Sequence, residues 1–368
     1  MPEKPFLPIT RPSLPPLEEY VALLEEIWAS RMLSNFSTFA TRLEELVQSY
    51  LGARHVLAVA SGDIGLIATL AALELPAGAP CYLSDFTFNS TINAALWARL
   101  TPVLVDIDPE TFNMDAQSLQ IAMREQRQAG VVLPTHVFGN PCDVTAIEAV
   151  ARQHDAALVF DAAHAYGSRR DGLPVGNFGD AEVFSLSGTK LVTTGEGGLV
   201  ATGDDRIADR LRYLRAYGFQ DDYRSRYVGL NGKISELHCA LGTLTLADVE
   251  GQVKRRQEVV GRYRAELGDE VGWQRIRPAD RSTFKDVAVL LGNRRAAAED
   301  ALTRQGVQTK RYFVPLHVME PYAPYAGGDL RHTTALHESV LCIPTHEDLS
   351  DADISRVAGI LLGALRSG

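Results

Sequence analysis

FSLSGTKLVTTGEGG, residues 184–198, places a single lysine, Lys190, between an apolar strand-like run and a polar, Gly-rich turn. Just upstream, ALVFDAAHA (residues 157–165) is a second apolar run whose polar residues, Asp161 and His164, come at its end. Two short apolar runs, each closing on a chemically capable side chain, predict neighbouring strands of an α/β sheet with a site at their carboxyl ends. A lysine there can hold an aldehyde cofactor as a Schiff base, and an aspartate can hold a protonated ring nitrogen. The plain alternatives are a solvated surface lysine and an aspartate that caps a turn.

Working outward, LEEYVALLEEIWASR and RLEELVQSYL have helical periodicity, and strand and helix patterns then alternate. HVLAVA, CYLS, PVLVDI and VVLPTH read as strands, each followed by a helical segment. ALVFDAA, EVFSLS and GLVAT follow as three strands in quick succession, which predicts a sheet that is mostly but not wholly parallel. From Ser235 to about Leu267 the pattern is helical, long enough for a helix or helix pair that leads out of the sheet domain. DVAVLL, AAAEDALTRQ, VQTKRYFV and a closing helix after Asp351 predict a small α+β unit. The expected division is a large domain over residues 1–250 and a small one over 251–368.

Composition narrows the function. The 368 residues are 46% hydrophobic and 22% charged, with a net charge of −10 and no block of Lys or Arg. A nucleic-acid surface is not expected. The Pro-rich start lacks an apolar core and does not read as a signal peptide, and no run of about 18 apolar residues predicts a membrane span. Cys81, Cys142, Cys239 and Cys342 are far apart and form no CxxC pair, so free thiols in a reducing cytoplasm are the expectation, with no metal site. No GxGxxG follows the first strand, which argues against a nicotinamide dehydrogenase.

Several polar groups fall at strand ends: Ser61-Gly62, the Phe86-Thr87-Phe88 run, His136, Asp161, His164, Ser185 and Lys190. AVASGDIGL turns from strand to helix with small residues, a natural phosphate seat, although Ser61 reads equally as a helix N-cap. Asp63 complicates that seat, because a carboxylate near a phosphate is repulsive. Ser185 points to the same end as Lys190, and the GEGG run reads as a turn with no chemistry of its own.

With order and spacing taken together, the chain resembles the DegT/DnrJ/EryC1/StrS family of sugar aminotransferases. The resemblance runs from RPSLPPLEE through LSDFTFNSTINAALWARL, VFDAAHAYGS, FSLSGTKLVTTGEGG and VGLNGKISELHCALG to VLCIPTHEDLSDADI. It implies the fold of type I pyridoxal-phosphate enzymes: a three-layer α/β domain with a mostly parallel mixed sheet and a small C-terminal α+β domain. It implies pyridoxal 5′-phosphate as cofactor, with Lys190 as the Schiff-base lysine, Asp161 on the pyridine nitrogen and His164 near the ring oxygen. Phe88 would stack on the ring, and Ser61, Gly62 and Ser185, with Asp63 beside them, would meet the phosphate. Asn231 would reach the phosphate from a neighbouring subunit, which makes the expected assembly a homodimer with shared sites. The implied reaction moves nitrogen from L-glutamate to a nucleotide-linked keto sugar.

Asn35, His136, Lys310, Tyr312 and His317 are the expected substrate-side residues, with a small-domain strand as the alternative for TKRYFVPLH. The chain departs from the family pattern at three places. Asp63 stands where a Thr is usual, Ser37-Thr38 where Gly-Pro is common, and Lys233 where many members carry Arg. The last exchange gives up a bidentate fork. The cofactor chemistry is untouched by these changes, but acceptor identity is left open between a nucleotide sugar and another ketone such as a cyclitol, and Asp63 leaves a catalytically silent cofactor-binding or regulatory protein as the alternative of another class.

Overall fold

The computed structural model describes residues 5–126, 128–220 and 222–367. Helices α1 (Leu17–Ser30) and α2 (Thr38–Leu51) lead into a seven-stranded sheet. Its strands are β1 (His55–Val59), β2 (Pro80–Ser84), β3 (Thr101–Val105), β4 (Val131–Leu133), β5 (Ala157–Asp161), β8 (Ala181–Ser185) and β9 (Gly198–Thr202). A two-stranded ribbon, β6 (Arg169–Arg170) with β7 (Leu173–Pro174), lies between β5 and β8 in sequence. The sheet order is β1-β9-β8-β5-β4-β2-β3, and only β9 runs against its neighbours. The expected mostly parallel mixed sheet is therefore present, and the short β8–β9 connection around Lys190 is what forces the reversal.

Alternation along the strands builds two cores. Leu57, Val59, Cys81, Leu83, Val159 and Val183 face α3 (Gly62–Ala72), α4 (Asn89–Trp97) and α7 (Asp205–Leu214). Tyr82, Leu158 and Phe160 face α5 (Ala116–Gln126) and α6 (Val144–Gln153), while Ala58, Phe184 and Leu199 face α2 and α8 (Glu236–Thr245). Strands covered on both faces read as continuous apolar runs, which is why they were legible. Each fully buried Leu, Val or Phe adds about 1.5–3 kcal/mol of transfer free energy.

The long helical stretch is two helices, α8 and α9 (Val249–Leu267), joined by one short turn. After α9 comes an antiparallel sheet of β10 (Gly272–Trp273), β11 (Val287–Leu290) and β12 (Val340–Ile343). Val287, Val289, Leu341 and Ile343 pack on α9, α10 (Arg295–Arg304) and α12 (Asp351–Ser367). The opposite face, with Ala288 and Cys342, packs on Phe86, Phe138 and Phe313. That aromatic layer joins the two sheets. VQTKRYFV forms no strand: its ladder contacts are two isolated bridges, Val307 with Leu7 and Lys310 with Cys342. Beyond it the chain turns away, Phe313 enters the aromatic layer, and α11 (Arg331–Ser339) follows before β12.

Candidate active site

The carboxyl ends of β5 and β8, the N-terminus of α3 and the 283–313 region enclose a cavity of about 300 Å3. Ser61, Gly62, Asp63, Phe88, Asp161, His164, Ser185, Lys190 and Tyr312 all line it. So do Thr87, Thr135, Glu196 and Lys285, to which the sequence reading attached no role.

Asp161 closes β5 and is buried, with 3% of its surface exposed. Its Oδ2 accepts from the Thr91 hydroxyl at 2.7 Å and its Oδ1 from the Ala163 amide at 3.0 Å. Thr91 in turn lies 2.8 Å from the Thr87 hydroxyl, which lies 2.7 Å from that of Thr135. A hydroxyl has one proton to give, so donation by Thr91 to the carboxylate orients the whole chain: Thr135 donates to Thr87, Thr87 to Thr91, Thr91 to Asp161. Burial pushes the Asp161 carboxyl up from its ordinary value, against the pull of the Thr91 bond, the Ala163 amide and the Lys190 charge. A carboxylate held this way is stabilised by a cation placed against it.

Lys190 lies in the turn after β8, where its amide donates to the Ser187 carbonyl at 2.9 Å. Burial pushes its amine down to about 8, and the Lys285 ammonium adds to the shift, while Asp286 and Asp161 oppose it. Lys285 is itself buried and bonds the Asp286 carboxylate at 3.1 and 3.3 Å. An amine near 8 is partly neutral at physiological pH and therefore nucleophilic. The His164 ring lies near the rings of Phe138 and Phe313, with centroids 6.4 and 5.9 Å away. Burial, then Lys190 and Lys285, push it well below its ordinary value, so it is neutral. Its Nδ1 is buried and finds no partner among the described residues.

The expected phosphate seat is a tight turn. Ser61 caps α3, its Oγ accepting from the Ile64 amide at 3.2 Å, so the N-cap role is real. The first amides of a helix have no acceptor within it and remain available to an anion. A Cβ added at Gly62 would stand 3.1 Å from the Ser185 Cβ, and one at Gly198 would stand 2.6 Å from the Ser61 carbonyl carbon. The second contact requires glycine. The GEGG run, read from sequence as a turn alone, thus lets β9 press against the Ser61–Gly62 turn, and its Glu196 reaches the cavity.

Five expected residues do not line the cavity. His136 is corrected: it is fully buried, its Nε2 is 3.0 Å from Glu182, its Nδ1 accepts from the Cys142 amide, and its ring stacks on Phe160. Successive residues of an extended chain face opposite sides, so Thr135 takes the cavity and His136 the far face. His317 pairs with Asp85 at 2.5 Å. Lys310 stands behind Tyr312 and donates to its hydroxyl at 2.8 Å. Asn35 accepts from Lys233 at 2.6 Å, and Asn231 is exposed on the loop whose Gly232 carbonyl accepts from the Ala60 amide.

A buried carboxylate, a depressed lysine, a neutral histidine with an unused nitrogen and an anion seat at a helix N-terminus meet in one cavity. These residues fit pyridoxal phosphate, and with this sheet order they define an aminotransferase-type site. The chain belongs to the DegT/DnrJ/EryC1/StrS aminotransferase family, whose profile matches residues 17–362. It is accordingly a pyridoxal-phosphate-dependent aminotransferase. It is 32% identical to GDP-perosamine synthase of Caulobacter vibrioides, over 98% of this chain and 99% of that one. It is 31% identical to dTDP-4-amino-4,6-dideoxy-D-glucose transaminase of Shigella dysenteriae, over 95% and 96% of the two chains. Among solved structures, DesI in the presence of its TDP-sugar product superposes with a TM-score of 0.92 at 34% identity, covering 99% of this chain and 94% of that one.

Proposed function

We propose that the protein transfers the amino group of L-glutamate to the ketone of a nucleotide-linked deoxysugar in amino-sugar biosynthesis, working in the cytoplasm as a homodimer. The observation that carries this reading is the meeting of Lys190, Asp161 and the unpartnered Nδ1 of His164 in one cavity. Relatives whose names specify GDP-, dTDP- and TDP-linked sugars support the acceptor class. Four buried free cysteines support a reducing compartment. The division into residues 1–250 and 251–368 is part of the same proposal, and the separate core of the C-terminal sheet supports it.

When bound, the cofactor supplies an electron sink for the carbanion formed at the amino acid's α-carbon. Lys190 holds the cofactor between turnovers. Freed from that hold, its amine would take the proton from the donor's α-carbon and serve as the acid that returns it. Asp161, its charge held by the threonine chain, keeps the ring nitrogen protonated. His164 offers Nδ1 to the ring oxygen, and Phe88, 54% exposed, offers a flat face to the ring. Ser61, Gly62 and Ser185 receive the phosphate, and Asn231, exposed in one protomer, completes the neighbour's site. Asn35, Lys310, Tyr312 and His317 shape the acceptor side.

The test is a two-stage assay on the holoprotein. L-glutamate alone converts the bound cofactor to its amine form and releases one equivalent of 2-oxoglutarate. A GDP- or dTDP-linked 4-keto-6-deoxysugar then restores the aldehyde form and gains nitrogen. Lys190→Ala abolishes the covalent attachment. Persistence of the aldehyde form in glutamate would sink the proposal, and turnover with a keto-inositol in place of every nucleotide sugar would move the acceptor to a cyclitol.

A further inference from the structure

The phosphate seat contains a charge of the wrong sign. Asp63 is the second residue of α3, directly after the Ser61–Gly62 turn; it lines the cavity and its side chain is exposed. No lysine, arginine or histidine among the described residues makes an ion pair with it. Lys285, which lines the same cavity, pairs with Asp286. Its charge is felt inside the cavity, where it adds to the upward push on the Asp161 carboxyl. Three carboxylates, Asp63, Asp161 and Glu196, line the cavity against two lysines, Lys190 and Lys285.

A helix N-terminus attracts one anion well, through its free amides and the positive end of its dipole. Asp63 already supplies that anion. It stabilises α3 in the empty protein, and an arriving phosphate meets a carboxylate in the same turn. While Lys190 holds the cofactor covalently, a weaker phosphate grip has little consequence. The amine form has no aldehyde for Lys190 to hold, so its retention depends on the phosphate and ring contacts alone.

We infer that Asp63 loosens the phosphate seat enough for the amine form of the cofactor to leave and exchange with solution between the two half-reactions. The enzyme then draws on the free pool of cofactor during turnover. This rests on the reading of the cavity as the pyridoxal-phosphate site.

The experiment titrates the cofactor-free protein with pyridoxamine phosphate, by calorimetry, for the wild type, Asp63→Asn and Asp63→Thr. Asparagine keeps the shape and removes the charge, and threonine adds a hydroxyl. Removing the like charge tightens binding by about tenfold in D63N, and D63T binds at least as tightly as D63N. In parallel, wild-type holoprotein treated with glutamate loses its cofactor on gel filtration, and D63N retains it. Equal dissociation constants in wild type and D63N would overturn the inference: the carboxylate would then face away from the phosphate or be neutralised in the assembly. Failure of all three folded proteins to bind pyridoxamine phosphate would overturn the cofactor reading beneath it, and the inference with it.

Discussion

Replacing Thr91 by valine removes one hydroxyl and leaves the shape of the side chain almost unchanged. The lost contact is a 2.7 Å bond from a neutral donor to a buried carboxylate, and it is the largest of the influences that hold Asp161 ionised. Charge-assisted bonds of this kind contribute about 1.5–3 kcal/mol. The Thr87 and Thr135 hydroxyls cannot substitute for it, because they reach the Asp161 carboxylate only through that of Thr91. The Asp161 carboxyl therefore rises further, and its hold on a protonated ring nitrogen weakens. If about 2 kcal/mol of that hold is expressed in the rate-determining proton transfer, the glutamate half-reaction slows about thirtyfold.

The assay is the single-turnover conversion of the cofactor by L-glutamate, followed by absorption in wild type, T91V, D161N and the double variant. Thr91→Ser keeps the hydroxyl and retains the wild-type rate. In the D161N background the charged acceptor is gone, so T91V slows the reaction by no more than about threefold. An equal slowing by T91V in both backgrounds would refute the reasoning, since the threonine would then act on packing rather than through the carboxylate.

Two further outcomes follow from the same geometry. Gly198→Ala places a Cβ 2.6 Å from the Ser61 carbonyl carbon and 2.7 Å from the Gly62 nitrogen, both of them backbone atoms that cannot swing aside. Denaturant unfolding should show a loss of about 1–3 kcal/mol and cofactor titration a weakened affinity, and unchanged values for both would contradict the close approach of β9. The Lys190 amine, pushed down to about 8, becomes neutral as pH rises through that value. The rate of covalent cofactor loading should climb between about pH 7 and 9 and then level off, whereas an unperturbed lysine would keep gaining past pH 10. Lys285→Met removes a neighbouring positive charge and moves the midpoint upward; a midpoint already near 10.5 in the wild type would refute the burial argument.

Much of the fold was legible because its strands are buried on both faces and announce themselves as short apolar runs between helical patterns. VQTKRYFV has the same look, yet its Phe313 is recruited to the aromatic layer between the sheets, and it keeps two isolated bridges, Val307 with Leu7 and Lys310 with Cys342. β10 is two residues long and carries no periodicity at all. In the site, Lys190, Asp161, Ser61 and Ser185 could be found because strand ends are counted along the chain. Thr91 and Lys285 could not. Thr91 sits within a helix and reaches Asp161 across 70 residues, and Lys285 enters from the bend that precedes β11. His136 shows the limit from the other side: being at a strand end leaves the facing undecided until the register of Thr135 against Asp161 is known.

By itself the sequence determined an expectation of the chemistry, through its resemblance to a family. The lysine in its Ser/Gly/Thr turn and the aspartate closing the preceding strand made a Schiff-base site an expectation, and the order of motifs around them carried the resemblance to the aminotransferase family, because those features are local and sequential. Only the tertiary structure decided how the chemistry is tuned. The like-charged Lys285 near Lys190, the threonine chain under Asp161 and the glycine that lets β9 meet the Ser61 turn all join distant segments. Burial and Coulomb energies depend on distance in space, and the linear chain does not carry that distance.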